Sequence, residues 1–209
     1  MSEPVSVQDA GAPGAPGERV RRVDARRNLE AIIQAAVPLL SEHPRASMQQ
    51  IAAAAGLHRA TVHRHFPSRD DLLDELRRRA FAASMEELNA VLEQPSADPS
   101  DTLERATAAL ITVGDRYRLY RYTTWRSAEN EGRAEEIGSN LIALLTDAQA
   151  AGQVRSDLPI RQLAAAIGGL IWAMLPQVAQ DGLSIKQAAR MIRTLMGAPT
   201  AAAPDAPAA

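Results

Sequence analysis

The 209-residue chain has no cysteine, one lysine, seven aromatic residues and no long hydrophobic run. Without cysteine there is no disulfide, no thiolate nucleophile and no thiolate-held metal, a composition that fits a reducing cytoplasm. The longest uninterrupted apolar run, Leu163 to Leu175, is 13 residues, short of the roughly 20 needed to span a bilayer, so it reads as a buried helix and no membrane is expected. Met1 to Gly17 has no basic cluster leading into an apolar core; its three glycines and three prolines read as a disordered extension over residues 1–20 rather than a secretion signal. The excess of arginine over lysine, 22 to 1, reflects base composition of the gene and carries no functional weight. Catalytic signatures are missing too: no Walker loop, no G-x-S-x-G elbow, no dinucleotide fingerprint. The expectation is a protein without catalytic residues or cofactors, and not an enzyme.

What is present is unevenly placed. From Arg19 to Arg69 nine arginines meet only Asp24, Glu30 and Glu42, a net +6, whereas the rest of the chain carries 14 basic and 22 acidic residues, a net −8. All four histidines, His43, His58, His63 and His65, lie in the basic segment. A basic head on an acidic body suits a chain one end of which meets a polyanion. Chance variation over helical surfaces gives the same totals, and charge alone does not choose.

Leu29, Ile32, Ile33, Ala36, Val37 and Leu40 form one apolar helical stripe that stops before Pro44. Ser47 and Gln50 then make an S-x-x-Q capping box for a second, two-turn helix. It ends at Ala55-Gly56-Leu57, where the glycine can take a left-handed turn. A third short helix runs from about His58 to Phe66. Pro67 breaks it, and Ser68 with Asp71 opens a fourth that continues to about Leu92. Further stripes begin at Leu103 and Ile137, and the last two helices are Ile160 to about Ala179 and Ser184 to about Met196. No segment alternates with period two. The expected fold is all-α with about nine helices: an N-terminal three-helix head over 21–80, a larger C-terminal domain over 81–197, and a disordered tail over 198–209.

Ser47 to Phe66 is written as a helix-turn-helix, with a third helix just before it. In such a unit the last helix enters the major groove with its leading side chains toward the bases. Here the residues resemble the tetracycline-repressor (TetR) family. The matching positions are Ser47, Ile51, Ala52, Ala55, Gly56, Leu57, Thr61, Val62, His65, Phe66, Ser68, Arg69 and Leu72. The resemblance is specific over about Arg26 to Ala80, and Gly152, Arg155, Asp157 and Pro159 resemble a turn common in the family's C-terminal domains. Two positions depart from the pattern. His58 stands where a serine usually caps the recognition helix, and His63 where a tyrosine usually contacts phosphate.

Resemblance and geometry together assign Arg59, Ala60, Thr61 and Arg64 to base edges: arginine suits guanine, and the Ala60 and Thr61 methyls suit thymine. Ser47, His63, His65 and Arg69 are the expected phosphate contacts, which position the helix without reading sequence. Arg22, Arg26 and Arg27 would form an arm along the backbone or into the minor groove. The histidines do not read as a metal site, since His58, His63 and His65 lack the i, i+4 spacing of helical metal ligands.

The resemblance also implies a homodimer, with Leu163, Ile167, Leu170, Ile171, Met174 and Ile192 as the expected interface residues. The same stripe could instead pack within one subunit. Tyr117, Tyr120, Tyr122, Trp125, Trp172 and Met174 are candidates to line a pocket for an apolar or aromatic effector, although aromatic residues in a helical stripe also serve as plain core. The function implied is a DNA-binding transcription regulator, a repressor released from a palindromic operator by a small-molecule effector. The rivals are a dimeric helical small-molecule-binding protein whose head does not read DNA, and a sequence-blind DNA-coating protein, against which a single localised reading head argues.

Overall fold

The structure, a computed structural model, describes residues 16–118 and 128–197. Among the described residues there are eight α-helices and no strand: α1 (Pro16–Glu42), α2 (Met48–Ala54), α3 (Arg59–His65), α4 (Arg69–Glu93), α5 (Pro99–Arg116), α6 (Ala128–Ala150), α7 (Ile160–Gln180) and α8 (Ile185–Met196). The head is built from α1 to α3 and the start of α4. Ile32, Ile33, Ala36 and Leu40 of α1 close over Ile51, Val62, Phe66 and Leu72, all buried. Each boundary has a local cause. The Ser47 hydroxyl accepts from the Gln50 N–H and the Gln50 side chain accepts from the Ser47 N–H, a complete capping box. Gly56 has φ +65°, and the Leu57 N–H reaches back to the Ala52 carbonyl at 2.9 Å, which closes the end of α2 with a glycine that any side chain would strain. A second capping box, Ser68 with Asp71, starts α4.

The body has its own core, in which α5, α6, α7 and α8 contribute Ile111, Leu145, Ile167 and Ile192, each essentially without solvent exposure. A bridge between Val154 and Gly197 and a bond from the Arg155 N–H to the Met196 carbonyl tie the α6–α7 turn to the end of α8. Gly152, with φ +72°, makes that turn possible. Although α7 is 21 residues long and apolar enough in composition to cross a membrane, its Leu163, Ile167, Ile171 and Leu175 are buried in the body core. It is accordingly built as a core helix of this bundle.

One expectation changes. Helix α1 begins at Pro16, so residues 16–20 are helical rather than disordered; Pro16 suits a helix start because its missing N–H needs no partner there. As expected, the fourth helix passes the boundary drawn at residue 80: α4 runs unbroken from Arg69 to Glu93, with Leu72, Leu73 and Leu76 in the head core and Leu88 in the body core. The described residues hold eight helices, against about nine expected for the whole chain. The expected disorder of residues 1–15 and of the tail 198–209 lies outside the described residues.

Candidate functional site

The third helix presents its leading end to solvent. Arg59, Ala60 and Arg64 are exposed and Thr61 is half-buried, while Val62 and the following Phe66 anchor the opposite side in the head core. One buried anchor per turn fixes which face points outward, so the arginines are displayed rather than merely unpacked. His58 sits at the N-cap in an extended conformation and makes no side-chain capping bond; the first N–H groups of α3 therefore have no hydroxyl or carboxylate cap of the usual kind. One turn on, Arg59 Nε donates to His63 Nε2 at 3.2 Å. An imidazole nitrogen that accepts is unprotonated, so the proton of His63 is on Nδ1. The bond uses only Nε of the guanidinium and leaves its two terminal amino groups out of it.

The expected phosphate contacts divide. Ser47 is exposed, although its hydroxyl also serves the capping box. His63 is half-buried and turned to Arg59. His65 is half-buried, and its Nε2 is buried and unbonded among the described residues, so that nitrogen does not face a phosphate. Burial first, and the Arg64 charge second, hold the His65 pKa below the ordinary histidine value, which keeps the ring neutral near pH 7. Arg69 is half-buried and donates from Nη2 to the Pro44 carbonyl at 2.5 Å and from Nε to the Ala46 carbonyl at 3.4 Å. It fastens the α1–α2 loop to the start of α4, a bracing role that its sequence position did not suggest.

Arg22, Arg26 and Arg27 are exposed along α1. Further along, α1 is tied to α4 by Glu30, whose two oxygens take Arg79 Nη1 and Nη2 at 2.7 Å each. Arg79 Nε and Arg78 also bond Glu75. The Arg79 bonds lower the Glu30 pKa. Burial pushes Glu75 up, but the bonds from Arg78 and Arg79 leave it net lowered. A bidentate guanidinium–carboxylate pair fixes angle as well as distance, and so holds α1 against α4.

In the body a cavity of about 260 Å³ lies between α4, α5, α6 and α7. Phe81 and Ser84 of α4, Gly114 of α5, Gly138 of α6 and Gly168 and Trp172 of α7 border it. Of the expected pocket residues, Trp172 is on its wall. Met174 is buried in the body core, and Tyr117 is the half-buried cap residue of α5 outside the cavity wall. Tyr120, Tyr122 and Trp125 lie outside the described residues. The glycines and Ser84 were missed; a glycine inside a strongly helical segment is the signal that could have found them, because it costs helix stability and calls for a packing or functional reason. Among the described residues no cluster of histidine and carboxylate side chains could hold a metal ion.

Residues 32–76 match the sequence pattern of the bacterial regulatory proteins of the tetR family. That match covers the head alone. Over 91 residues it is 41% identical to the HTH-type transcriptional repressor LfrR of Mycolicibacterium smegmatis, a match covering 42% of this chain and 46% of that protein. The match thus spans about half the length of the relative. The solved structure of the TetR-family regulator PfmR from Thermus thermophilus aligns with a TM-score of 0.64 at 22% identity, covering 79% of this chain and 96% of that one. AibR, solved with isovaleryl coenzyme A and operator DNA, aligns with a TM-score of 0.67 at 20% identity over 83% of this chain and 100% of that one. At such identities the likeness is one of fold.

The expected interface stripe is already used inside one subunit. Leu163, Ile167, Ile171, Met174 and Ile192 are 9% exposed or less, and Leu170 is half-buried against the same core. A side chain buried in its own subunit has no surface left for a partner. The outward faces of the last two helices carry other residues: Trp172 is 38% exposed, Met191 45% and Leu195 51%. Ala165, Ala166, Gly169 and Ala173 flank them on α7.

Proposed function

We propose that this chain is a sequence-specific DNA-binding transcription regulator, a homodimeric repressor that leaves a palindromic operator when a small molecule occupies its body. The observation that carries the reading is the exposed leading end of α3, held outward by Val62 and Phe66 within the segment that matches the family. LfrR is named as a repressor, and AibR was solved with both an acyl coenzyme A and operator DNA; both names point the same way. The protein acts in the cytoplasm by binding alone, without catalysis or a cofactor.

In this reading residues 21–80 are the reading head and residues 81–197 the regulatory and dimerising body, joined through α4. Arg59 and Arg64 address guanine edges, and the Ala60 and Thr61 methyls address thymine. Ser47 and the Nδ1–H of His63 meet phosphates, with Arg22, Arg26 and Arg27 following the backbone beside them. His65 and Arg69 support the helix from within. Two heads on a twofold dimer reach successive major-groove turns when they stand about 34 to 36 Å apart. Helix α4 connects that spacing to the cavity: from Phe81, on the cavity wall, to Arg69, bonded to the α1–α2 loop, is about 18 Å of unbroken helix. A ligand that prefers the conformer with the wrong spacing shifts the population away from DNA by its differential affinity and by nothing else.

The test is selection of bound sites from random duplexes with the full-length protein. A palindrome with half-sites about one helical turn apart is the expected result. Recovery of no enriched sequence overturns the proposal and leaves a dimeric helical binding protein whose head does not read DNA.

A further inference from the structure

The cavity in the body has a composition that selects its occupant. We infer that it takes an uncharged, largely apolar small molecule of roughly ten to twelve non-hydrogen atoms with one hydroxyl-type polar group, since an apolar cavity of about 150 Å³ already holds benzene and this one measures about 260 Å³. The inference rests on the reading of the body as an effector-binding domain and names the class of effector. No Asp, Glu, Lys, Arg or His is among the described residues that border the cavity, and its polar side-chain groups there are the Ser84 hydroxyl and the Trp172 indole N–H. A charged ligand would leave water for a site whose described lining offers no counter-charge, whereas a hydroxyl can exchange one hydrogen bond with Ser84.

The glycines separate a working cavity from a packing defect. At Gly114 an added Cβ would stand 3.0 Å from a Leu175 methyl, so that glycine is explained by the close approach of α7 to α5. At Gly138 and Gly168 an added Cβ meets nothing within 4 Å. Alanine would fit there and favour the helix; packing gives no reason for glycine at either place. What the two glycines do is keep the space between α6 and α7 open. Trp172, partly exposed, stands where that space meets solvent.

Three ligands sharing one apolar body test the inference: 4-phenylbutan-1-ol, 4-phenylbutyrate and 4-phenylbutylammonium, titrated by calorimetry into the full-length protein without DNA. The alcohol is expected to bind at least about tenfold more tightly than either ion. Gly138→Leu should weaken the alcohol by about tenfold or more, because its side chain takes the ligand's place. Gly168→Ala, a smaller filling, should weaken it less, and both variants should keep wild-type helicity and melt no lower. Ser84→Ala should weaken the alcohol severalfold and leave butylbenzene unchanged. An ion that binds as tightly as the alcohol, no binding of the alcohol, or an unchanged affinity in a folded Gly138→Leu protein each overturns the inference. Failure here is distinct from failure of the regulator reading. Site selection reports the head alone, and an alcohol that binds the body without releasing a selected site counts against the effector role while the class of ligand stands.

Discussion

Arg69 and His65 occupy motif positions that point to the phosphate backbone, yet Arg69 is engaged by loop carbonyls and His65 buries its Nε2. Arg69 bonds the Pro44 and Ala46 carbonyls, so Arg69→Ala should do two things. It should lower head stability by about 1 kcal/mol, less than the usual worth of a bond to a charged group because the side chain is only half-buried and solvent screens it. It should also weaken binding to every duplex alike, because the loop before α2 loses its brace. Chemical denaturation checks the first effect and duplex titration the second; wild-type stability with weakened binding would return Arg69 to a direct phosphate role. His65 makes a pH prediction. Its folded-state pKa is depressed by burial and by Arg64, so between that value and the unfolded value of 6.5 the unfolded chain binds the extra proton. Stability therefore falls as pH drops below about 6.5, and His65→Gln should remove that slope in denaturation curves at successive pH values. Glu30 and Glu75, whose pKa values are lowered, contribute stability that is present above 4.5 and lost below it, so their loss comes in a separate, more acid window.

Among the helices, the interior glycines differ in what surrounds them, and single alanine substitutions should sort them. Gly138→Ala should stabilise the protein by about 0.5 to 1 kcal/mol through helix propensity, since its Cβ enters empty space. Gly114→Ala carries the same propensity gain but drives a methyl to 3.0 Å from Leu175, so it should be neutral or destabilising. Thermal melts that moved in the same direction by the same amount would show that neither site is governed by its surroundings. The element scale is also where the sequence could be read best. Every helix boundary fixed by a local device, the Ser47 and Ser68 capping boxes, the left-handed Gly56 and the Pro67 break, falls within about two residues of expectation, because capping is chemistry between near neighbours. The outward turn of Arg59 and Arg64 was legible for the same reason: Val62 and Phe66 are spaced on one side of a two-turn helix. The cavity was not. It depends on four helices meeting, and the described side chains that drew attention belong mostly to other surroundings, Tyr117 at the end of α5 and Met174 in the core. Nor could a helical stripe say whether it packs within a subunit or between two, since both satisfy the same periodicity.

At the scale of the whole molecule that ambiguity becomes a prediction about assembly. The inward stripe of α7 and α8 is filled by its own subunit, and the faces left outside still carry Trp172, Met191 and Leu195, large apolar side chains between 38% and 51% exposed. Small residues beside them on α7 would let a second backbone approach closely, as helix–helix packing requires. If the dimer forms on these faces, a charge placed there should part the subunits without unfolding them: Met191→Asp with Leu195→Glu should sediment as a monomer with wild-type helicity. Ile192→Glu, one residue away but 1% exposed, should instead unfold the body, since it buries an unpaired carboxylate at a cost of several kcal/mol. The monomeric double variant would keep its head intact and should select single half-sites rather than palindromes, with affinity falling as the second head is lost. A double variant that remains dimeric would place the twofold axis elsewhere on the body. In that case the outward apolar face of α7 and α8 would have no part in holding two reading helices a groove-turn apart.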